Sequence, residues 1–398
     1  RELAERMRHG DSGKDLLQRW KDEVGFPHGE IEDILNLSDP PYYTACPNPF
    51  ILDFIQHYGK PYDPNVLYSK EPFAVDVSVG KTDPIYKAHS YHTKVPHLAI
   101  VPFILHYTEP GDVVLDGFCG SGMTGVAAQW CESAPENYRR ELEAQWEEQG
   151  WGKPEWGSRR VVLGDLAPAA TFIAANYNLP FNVDEFVRAA RQILDEVEQE
   201  IGWMYETLHT DGKTKGRIEY TVWSEVFTCP DCTGEVVCLE QALDPQTKKV
   251  KQQFTCPHCG AELDKRKLER SFESRVDPAS GKPWKRIKYV PVLISYRVGK
   301  QQFEKLLDKR DLDILERIEK LPFPTDVPVN RIPTDQMYHG SRIEPKGITH
   351  IHHLFLPRAA HALATLWRKA QAWPDKRIRH MLLFFVEQAI VGMTLMNR

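Results

Sequence analysis

Four cysteines stand in two Cys-x-x-Cys pairs, Cys229-Pro-Asp-Cys232 and Cys256-Pro-His-Cys259, with 23 residues between the pairs. Thiolates at this spacing can meet around one zinc ion, tetrahedrally and at about 2.3 Å from it. Four sulfur ligands leave no open position, so the expected zinc is structural, and its binding would supply folding energy to a small ribbon of strands. An aromatic-Thr lead precedes each pair, Phe227-Thr228 and Phe254-Thr255, as strands of a ribbon would. His258 lies inside the second pair and is expected to be exposed, not a ligand. The ribbon is read as a fold staple or as a target-recognition module.

The second chemical signal is Val113-Val114-Leu115-Asp116-Gly117-Phe118-Cys119-Gly120-Ser121-Gly122-Met123-Thr124-Gly125. A short apolar run ends in an acid, and glycines then allow a sharp turn under a ligand before a helix begins. A second apolar run, Val161-Val162-Leu163, ends in Asp165, an acid placed to hold ribose hydroxyls. Asp165 follows Asp116 by 49 residues, and a charged insertion over 132–158 accounts for the length.

The segment resembles the Asp-Pro-Phe-x-Gly-Ser-Gly-Thr-Thr cofactor motif of amino-methylating DNA methyltransferases. It departs at Gly117 and Met123. Upstream, Tyr91-His92-Thr93-Lys94-Val95-Pro96 is similar to the His-Pro-Thr-Gln-Lys-Pro element of that family, with Thr93 and Pro96 aligning directly. The resemblance covers roughly residues 85–180. It implies S-adenosylmethionine as cofactor, with Thr93, Lys94, Pro96, Asp116, Phe118, Gly120, Ser121, Gly122, Thr124 and Asp165 around it. A dinucleotide site is the weaker alternative, because the upstream element has no role there.

Asp39-Pro40-Pro41-Tyr42 resembles the catalytic tetrad of the same family. The exocyclic amine of adenine or cytosine is a poor nucleophile because its lone pair is delocalised into the ring. A carboxylate and a backbone carbonyl, fixed by two prolines, can accept its N–H bonds, and the aromatic residue can stack on a flipped base. Cytosine C5 methylation would need a cysteine nucleophile, which its family presents in Pro-Cys; that dipeptide does not occur here. Only about 50 residues, rich in proline, separate Tyr42 from Tyr91, whereas family members with the tetrad first usually place half a sheet and a target-recognition region there. A second reading therefore stays open. In large zinc-ribbon-bearing relatives the working tetrad follows the cofactor motif, no such copy precedes Arg398, and Asp39–Tyr42 would then be a structural turn or part of a lid.

The elements that must position these residues follow from periodicity and turn chemistry. A charged helical lead-in is expected over 1–36, and extended, irregular chain over 39–90. Helices are expected over 97–108, from about Ser121 to Cys131, and from Pro168, around buried strands at 113–115 and 161–163. That strand–helix alternation predicts parallel pairing. A long amphipathic helix is expected over 184–212. His350, His352 and His353 cluster, and alternation with apolar residues suggests a strand with His350 and His352 on one face; with no partner acid or cysteine evident nearby they are expected to be core or pocket histidines, a second metal being the alternative. The expected fold is α/β: a doubly wound, Rossmann-like methyltransferase core with an inserted zinc ribbon and a mixed α/β C-terminal region. Its expected divisions are a lead-in (1–84), the core (85–220), the ribbon (221–265) and the C-terminal region (266–398).

The chain has 398 residues and a net charge of −6, so contact with nucleic acid would need a local basic face. Residues 282–310 offer one, with nine Lys or Arg and only Glu304 and Asp308 as acids; a solvated surface is the alternative. Trp367, Arg368, Lys369, Trp373, Lys376, Arg377 and Arg379 interleave aromatics with base in a second such stretch. Residues 381–396 are apolar but too short and polar to span a bilayer, and read as a core helix. Cysteine usage points to metal in a reducing cytoplasm. The expected function is methylation of adenine N6 or cytosine N4 in double-stranded DNA, within restriction-modification or phage defence, with other subunits of such a system as further partners. The rivals are a cofactor-binding recognition subunit without catalysis of its own and an RNA base methyltransferase.

Overall fold

A computed structural model describes residues 2, 5–6, 9–11, 13–21, 30–32, 50–61, 63–244, 247, 249–333, 338–339 and 343–396. These form two compact units, residues 1–182 and 183–398. The fold is mixed α/β with several small sheets.

In the first unit, helices α1 (Lys14–Trp20), α2 (Ile51–Tyr58) and α3 (Pro84–Lys87) precede the motif region. The latter two interrupt the stretch expected to be irregular. Asp83 starts α3 by accepting the backbone N–H of Ile85 (2.8 Å), and Pro84 sits at the first helical position, where its missing N–H costs nothing. The motif region runs α4 (His97–Tyr107), β1 (Val113–Asp116), α5 (Met123–Ser133), α6 (Glu136–Glu148), β2 (Arg160–Leu163) and α7 (Pro168–Asn178). β1 and β2 pair in parallel, from Val113 opposite Arg160 to Asp116 opposite Leu163. Parallel strands need a crossover, and α5 and α6 supply it; α6 is the charged insertion. Among the described residues this parallel sheet has two strands, one β–α–β crossover of the doubly wound core that was expected. Val101, Ile104 and Leu105 of α4, Ala127, Ala128 and Cys131 of α5, and Leu142 and Trp146 of α6 form the buried core beside it.

The second unit opens with α8 (Val183–Ile201). The expected helix to residue 212 ends here: Gly202–Tyr205 is a single 3₁₀ turn, and β3 (Glu206–Leu208) pairs antiparallel with β4 (Lys215–Thr228). β5 (Glu235–Val237), α9 (Cys238–Ala242), β6 (Gln253–Thr255), β7 (Glu262–Asp264) and β8 (Glu269–Arg270) follow. Next come β9 (Phe272–Val276), β10 (Pro283–Ile287), β11 (Tyr289–Val298), β12 (Gln301–Lys305), α10 (Lys309–Glu319), α11 (Pro357–Gln371) and α12 (Lys376–Gly392). The main sheet runs β12-β11-β4-β3, with β5 and β8 pairing on the far end of β4. β4 is 14 residues long and so carries the sheet directly to the first cysteine pair. Asp308 and Asp311 close a reciprocal capping box on α10.

Candidate cofactor turn and metal centre

The glycine-rich turn is held by its own acids. Asp116 accepts the backbone N–H of Phe118 on Oδ1 (3.1 Å) and the Thr124 hydroxyl on Oδ2 (2.6 Å). Asp165, two residues beyond β2, accepts the N–H of Gly120 (2.9 Å) and that of Ala167 (3.0 Å). Parallel pairing of β1 with β2 therefore brings the two acids of the sequence pattern to one turn. Asp116 and Thr124 spend these groups on shaping it.

Three glycines make the turn sterically possible. Gly120 and Gly122 have φ of +49° and +76°, a region that side chains with a Cβ rarely adopt. A Cβ on Gly120 would stand 2.9 Å from the Tyr91 ring, and one on Gly122 would stand 2.6 Å from the Ala174 Cβ. At Gly125, in α5, a Cβ would meet the Asn178 carboxamide at 2.3 Å. Asn178 in turn donates to the carbonyls of Gly122 (3.0 Å) and Ala174 (2.8 Å). Asn178 is a part of this site that the sequence reasoning missed, and it carries no sequence signal, because its partner glycines lie far along the chain; Tyr91 heads the upstream element, which did not disclose its contact with Gly120.

The upstream element is fixed by Lys94. Its ammonium donates to the carbonyls of Tyr86 and His89 and lies 4.5 Å from the centre of the Tyr86 ring. Burial holds the Lys94 ammonium below its ordinary pKa. Lys94 thus braces the loop from within. Thr93 is exposed and Pro96 buried, starting α4. The phenol of Tyr91 is pushed up by burial and by the Asp165 carboxylate. Ser121 is buried in the turn. Phe118 and Leu166 flank it and are 84% and 83% exposed, an apolar rim suited to a flat ligand. Asp39, Pro40, Pro41 and Tyr42 lie outside the described residues.

The four cysteines of the two pairs converge, with Cys229 to Cys259 and Cys232 to Cys256 both at 3.8 Å between sulfurs. Zinc–sulfur bonds of about 2.3 Å in a tetrahedron require sulfurs about 3.8 Å apart, so the cluster is compatible with zinc. The two pairs repeat one backbone pattern. Cys229 N–H donates to the Gly234 carbonyl (2.9 Å) and Cys256 N–H to that of Ala261 (2.8 Å); Thr233 and Gly260 return to Cys229 and Cys256. Both returning residues are left-handed, Thr233 at φ +58° and Gly260 at +77°. Burial opposes ionisation of Cys256, but the N–H groups of Cys259 and His258 point at its sulfur and lower it to about 6. His258 is exposed, with Nε2 against the Glu235 carbonyl (2.8 Å), as expected of a non-ligand.

Neither basic stretch is a free cationic face. Of the nine Lys and Arg in 282–310, five are in ion pairs: Arg286 with Glu273, Lys288 with Glu235, Arg297 with Glu219, Lys305 with Asp308 and Asp311, and Arg310 with Glu206. Arg368 pairs with Glu200, and Lys369 with Glu196 and Glu200. The histidine cluster also differs from expectation. Residues 351–354 are a 3₁₀ turn, so the adjacent His352 and His353 point the same way, and the missing acid is Asp277.

Residues 30–132 match a family model described as DNA methylase, of the N6/N4 type. This segment is thus similar to the amino-methylating DNA methylases. No curated protein and no solved structure matches the chain. The methylase segment begins before Asp39 and ends within α5, so it contains the Asp39–Tyr42 tetrad, the upstream element and the whole glycine turn. No helix among the described residues is long and apolar enough to cross a membrane.

Proposed function

We propose that the chain is an S-adenosylmethionine-dependent methyltransferase acting on adenine N6, or cytosine N4, of double-stranded DNA. The observation that carries this is the turn at 116–125. Its glycines admit a close ligand, Asp165 reaches it from the neighbouring strand, and it lies inside the DNA methylase segment. S-adenosylmethionine, when bound, supplies an electrophilic methyl group. Gly120, Gly122 and Ser121 would cradle it, Phe118 would cover it, and Asp165 would hold its ribose with the lone pairs left after its two backbone contacts. Asp116, Thr124 and Lys94 keep the cradle and the upstream loop in shape, and Thr93 and Pro96 lie on that loop.

The methylase segment runs from the tetrad to the cofactor turn in one block, which favours Asp39–Tyr42 as the working tetrad. In that role the Asp39 carboxylate and the Pro40 carbonyl accept the two N–H bonds of the target amine. The nitrogen lone pair is thereby localised for attack, and Asp39 would take the proton released. Tyr42 stacks on the base. The Cys229, Cys232, Cys256 and Cys259 cluster holds a structural zinc within the second compact unit, whose start at residue 183 falls inside the expected core of 85–220. A restriction-modification or phage-defence role in the cytoplasm, with other subunits as partners, follows from the resemblance alone.

One observation favours the rival, a recognition subunit whose chemistry comes from elsewhere: among the described residues β1 pairs on one side only, and its Leu115 is 74% exposed. Labelled methyl transfer to unmethylated DNA, with Asp39→Ala beside the parent chain, decides between them. The proposal expects activity to fall at least a hundredfold in the variant while cofactor binding is unchanged. Activity retained in the variant rejects Asp39 as the catalytic acid, and activity absent from both while the cofactor binds supports the rival. RNA offered in competition tests the nucleic-acid class.

A further inference from the structure

The second unit holds another set of convergent metal-type ligands. Asp277 opens the turn between β9 and β10, and its Oδ1 accepts the N–H groups of Ala279 (3.0 Å) and Ser280 (2.7 Å). That leaves Oδ2 pointing inward, against His352 Nε2 (2.9 Å) and His353 Nε2 (2.6 Å). All three residues are at most 4% exposed, and their ligand atoms lie within 4.8 Å of one another. The rings are fixed: Trp284 stacks on His353 with centroids 3.6 Å apart, and Phe323 lies edge-on to His352. His350 is next to the pair, 5.0 Å from the His353 ring and 5.5 Å from that of His352.

We infer that Asp277, His352 and His353 bind a second divalent metal ion, zinc by its ligand chemistry, independently of the cysteine cluster and of the methyltransferase reading. Two imidazoles and one carboxylate are a zinc donor set. Without metal, one carboxylate oxygen must take both imidazole N–H groups. The site is dry, rigid and triply polar, and a cation there would meet the carboxylate and both imidazole nitrogens directly. The present separations are those of hydrogen bonds. A zinc at about 2.0–2.1 Å from each atom would spread them to about 3.3 Å. His353 Nδ1 now accepts the Thr349 N–H (3.2 Å). On giving its Nε2 lone pair to a metal it would carry the proton on Nδ1 and donate to the Thr349 hydroxyl, 3.4 Å away, the kind of outer partner that orients a ligating histidine. The fourth position falls to His350 or water. The ion would tie the β9–β10 turn to the 349–354 segment, 75 residues later in the chain.

The test is metal content of the full chain, refolded or dialysed with zinc and then freed of loose ion. Two zinc ions per chain are expected in the parent and one in Asp277→Asn or His353→Gln. Cobalt substitution separates the sites and reports folding. The cysteine cluster gives intense thiolate charge-transfer absorption that must persist in the variants, whereas the weak visible bands of the nitrogen–oxygen site must disappear. One zinc per chain in the parent that both variants keep, or two retained in both variants, overturns the inference. Should the variants fail to fold, the cobalt spectrum of the parent still decides, since thiolate charge-transfer bands without nitrogen–oxygen bands would leave this site empty.

Discussion

Thr233 is the only described residue other than glycine with a positive φ, and it sits where Gly260 sits in the other half of the metal cluster. A non-glycine residue there costs on the order of 1–3 kcal/mol, offset in part by the greater chain entropy that glycine must lose. Thr233→Gly is therefore expected to stabilise the zinc-bound chain by about 1 kcal/mol, read as a rise in denaturant midpoint at unchanged slope. A fall in midpoint would mean that the Thr233 hydroxyl, which donates to the Cys232 carbonyl (2.7 Å), contributes more than the strain costs. The same reasoning with opposite sign applies at Gly120. Gly120→Val would put side-chain atoms into Tyr91 at a φ of +49°. S-adenosylmethionine affinity, measured by calorimetry, should drop at least tenfold with the fold retained; unchanged affinity would remove the turn from the cofactor site. What sequence could disclose at this scale was local. The glycine turn and the cysteine pairs announce themselves within a dozen residues, because one backbone path needs them all. Tyr91 lies 29 residues before Gly120, Asn178 lies 56 after Gly122, and Asp277 lies 75 before His352, so only tertiary structure joins them.

At the scale of elements, the parallel pair was legible because each strand is a short apolar run ending in an acid. The end of α8 was not: amphipathic spacing continues past Ile201, but Glu206–Leu208 finds a ladder partner in Lys215–Arg217, and tertiary pairing outweighs helical periodicity. His350 to His353 failed for the converse reason, since alternation over four residues cannot tell a strand from a 3₁₀ turn. Entry into β2 depends on Arg159, which is 5% exposed and has no carboxylate in ion-pair reach among the described residues. Its guanidinium instead donates to the Thr108 hydroxyl (3.1 Å) and to the carbonyls of Thr108 (2.9 Å), Glu155 (2.8 Å) and Gly157 (2.9 Å). This one side chain satisfies the end of α4 and the loop before β2 together. Arg159→Met keeps the apolar stem but strands those acceptors, and should destabilise the fold by about 2–4 kcal/mol. Equilibrium unfolding measures it, and a loss under about 0.5 kcal/mol would show the loop to be solvated instead.

For the whole molecule the question is how a chain of net charge −6 would hold a polyanion. Composition concentrates positive charge in 282–310, yet the fold spends five of those nine cations on acids drawn from β3, β4, β5, β9 and the start of α10. Lys282, Lys285, Lys300 and Lys309 keep no acid within ion-pair distance among the described residues, and Lys285 also lies over the Phe272 ring. Each phosphate neutralised by such a cation contributes about −0.9 to the slope of log K against log salt. If these four make the DNA contact of this unit, the slope is about −4. Sixfold or more extensive neutralisation would give −5 or steeper, and would require the ion pairs to open or cations elsewhere in the chain to join. Fluorescence anisotropy on a labelled duplex from about 50 to 200 mM salt separates the two. Replacing Lys282 and Lys300 together by Gln should then make the slope shallower by about 2, because an unpaired surface lysine acts on DNA through its charge. The same change at Arg286 and Arg297, whose charges are already met by Glu273 and Glu219, should leave the slope nearly unaltered.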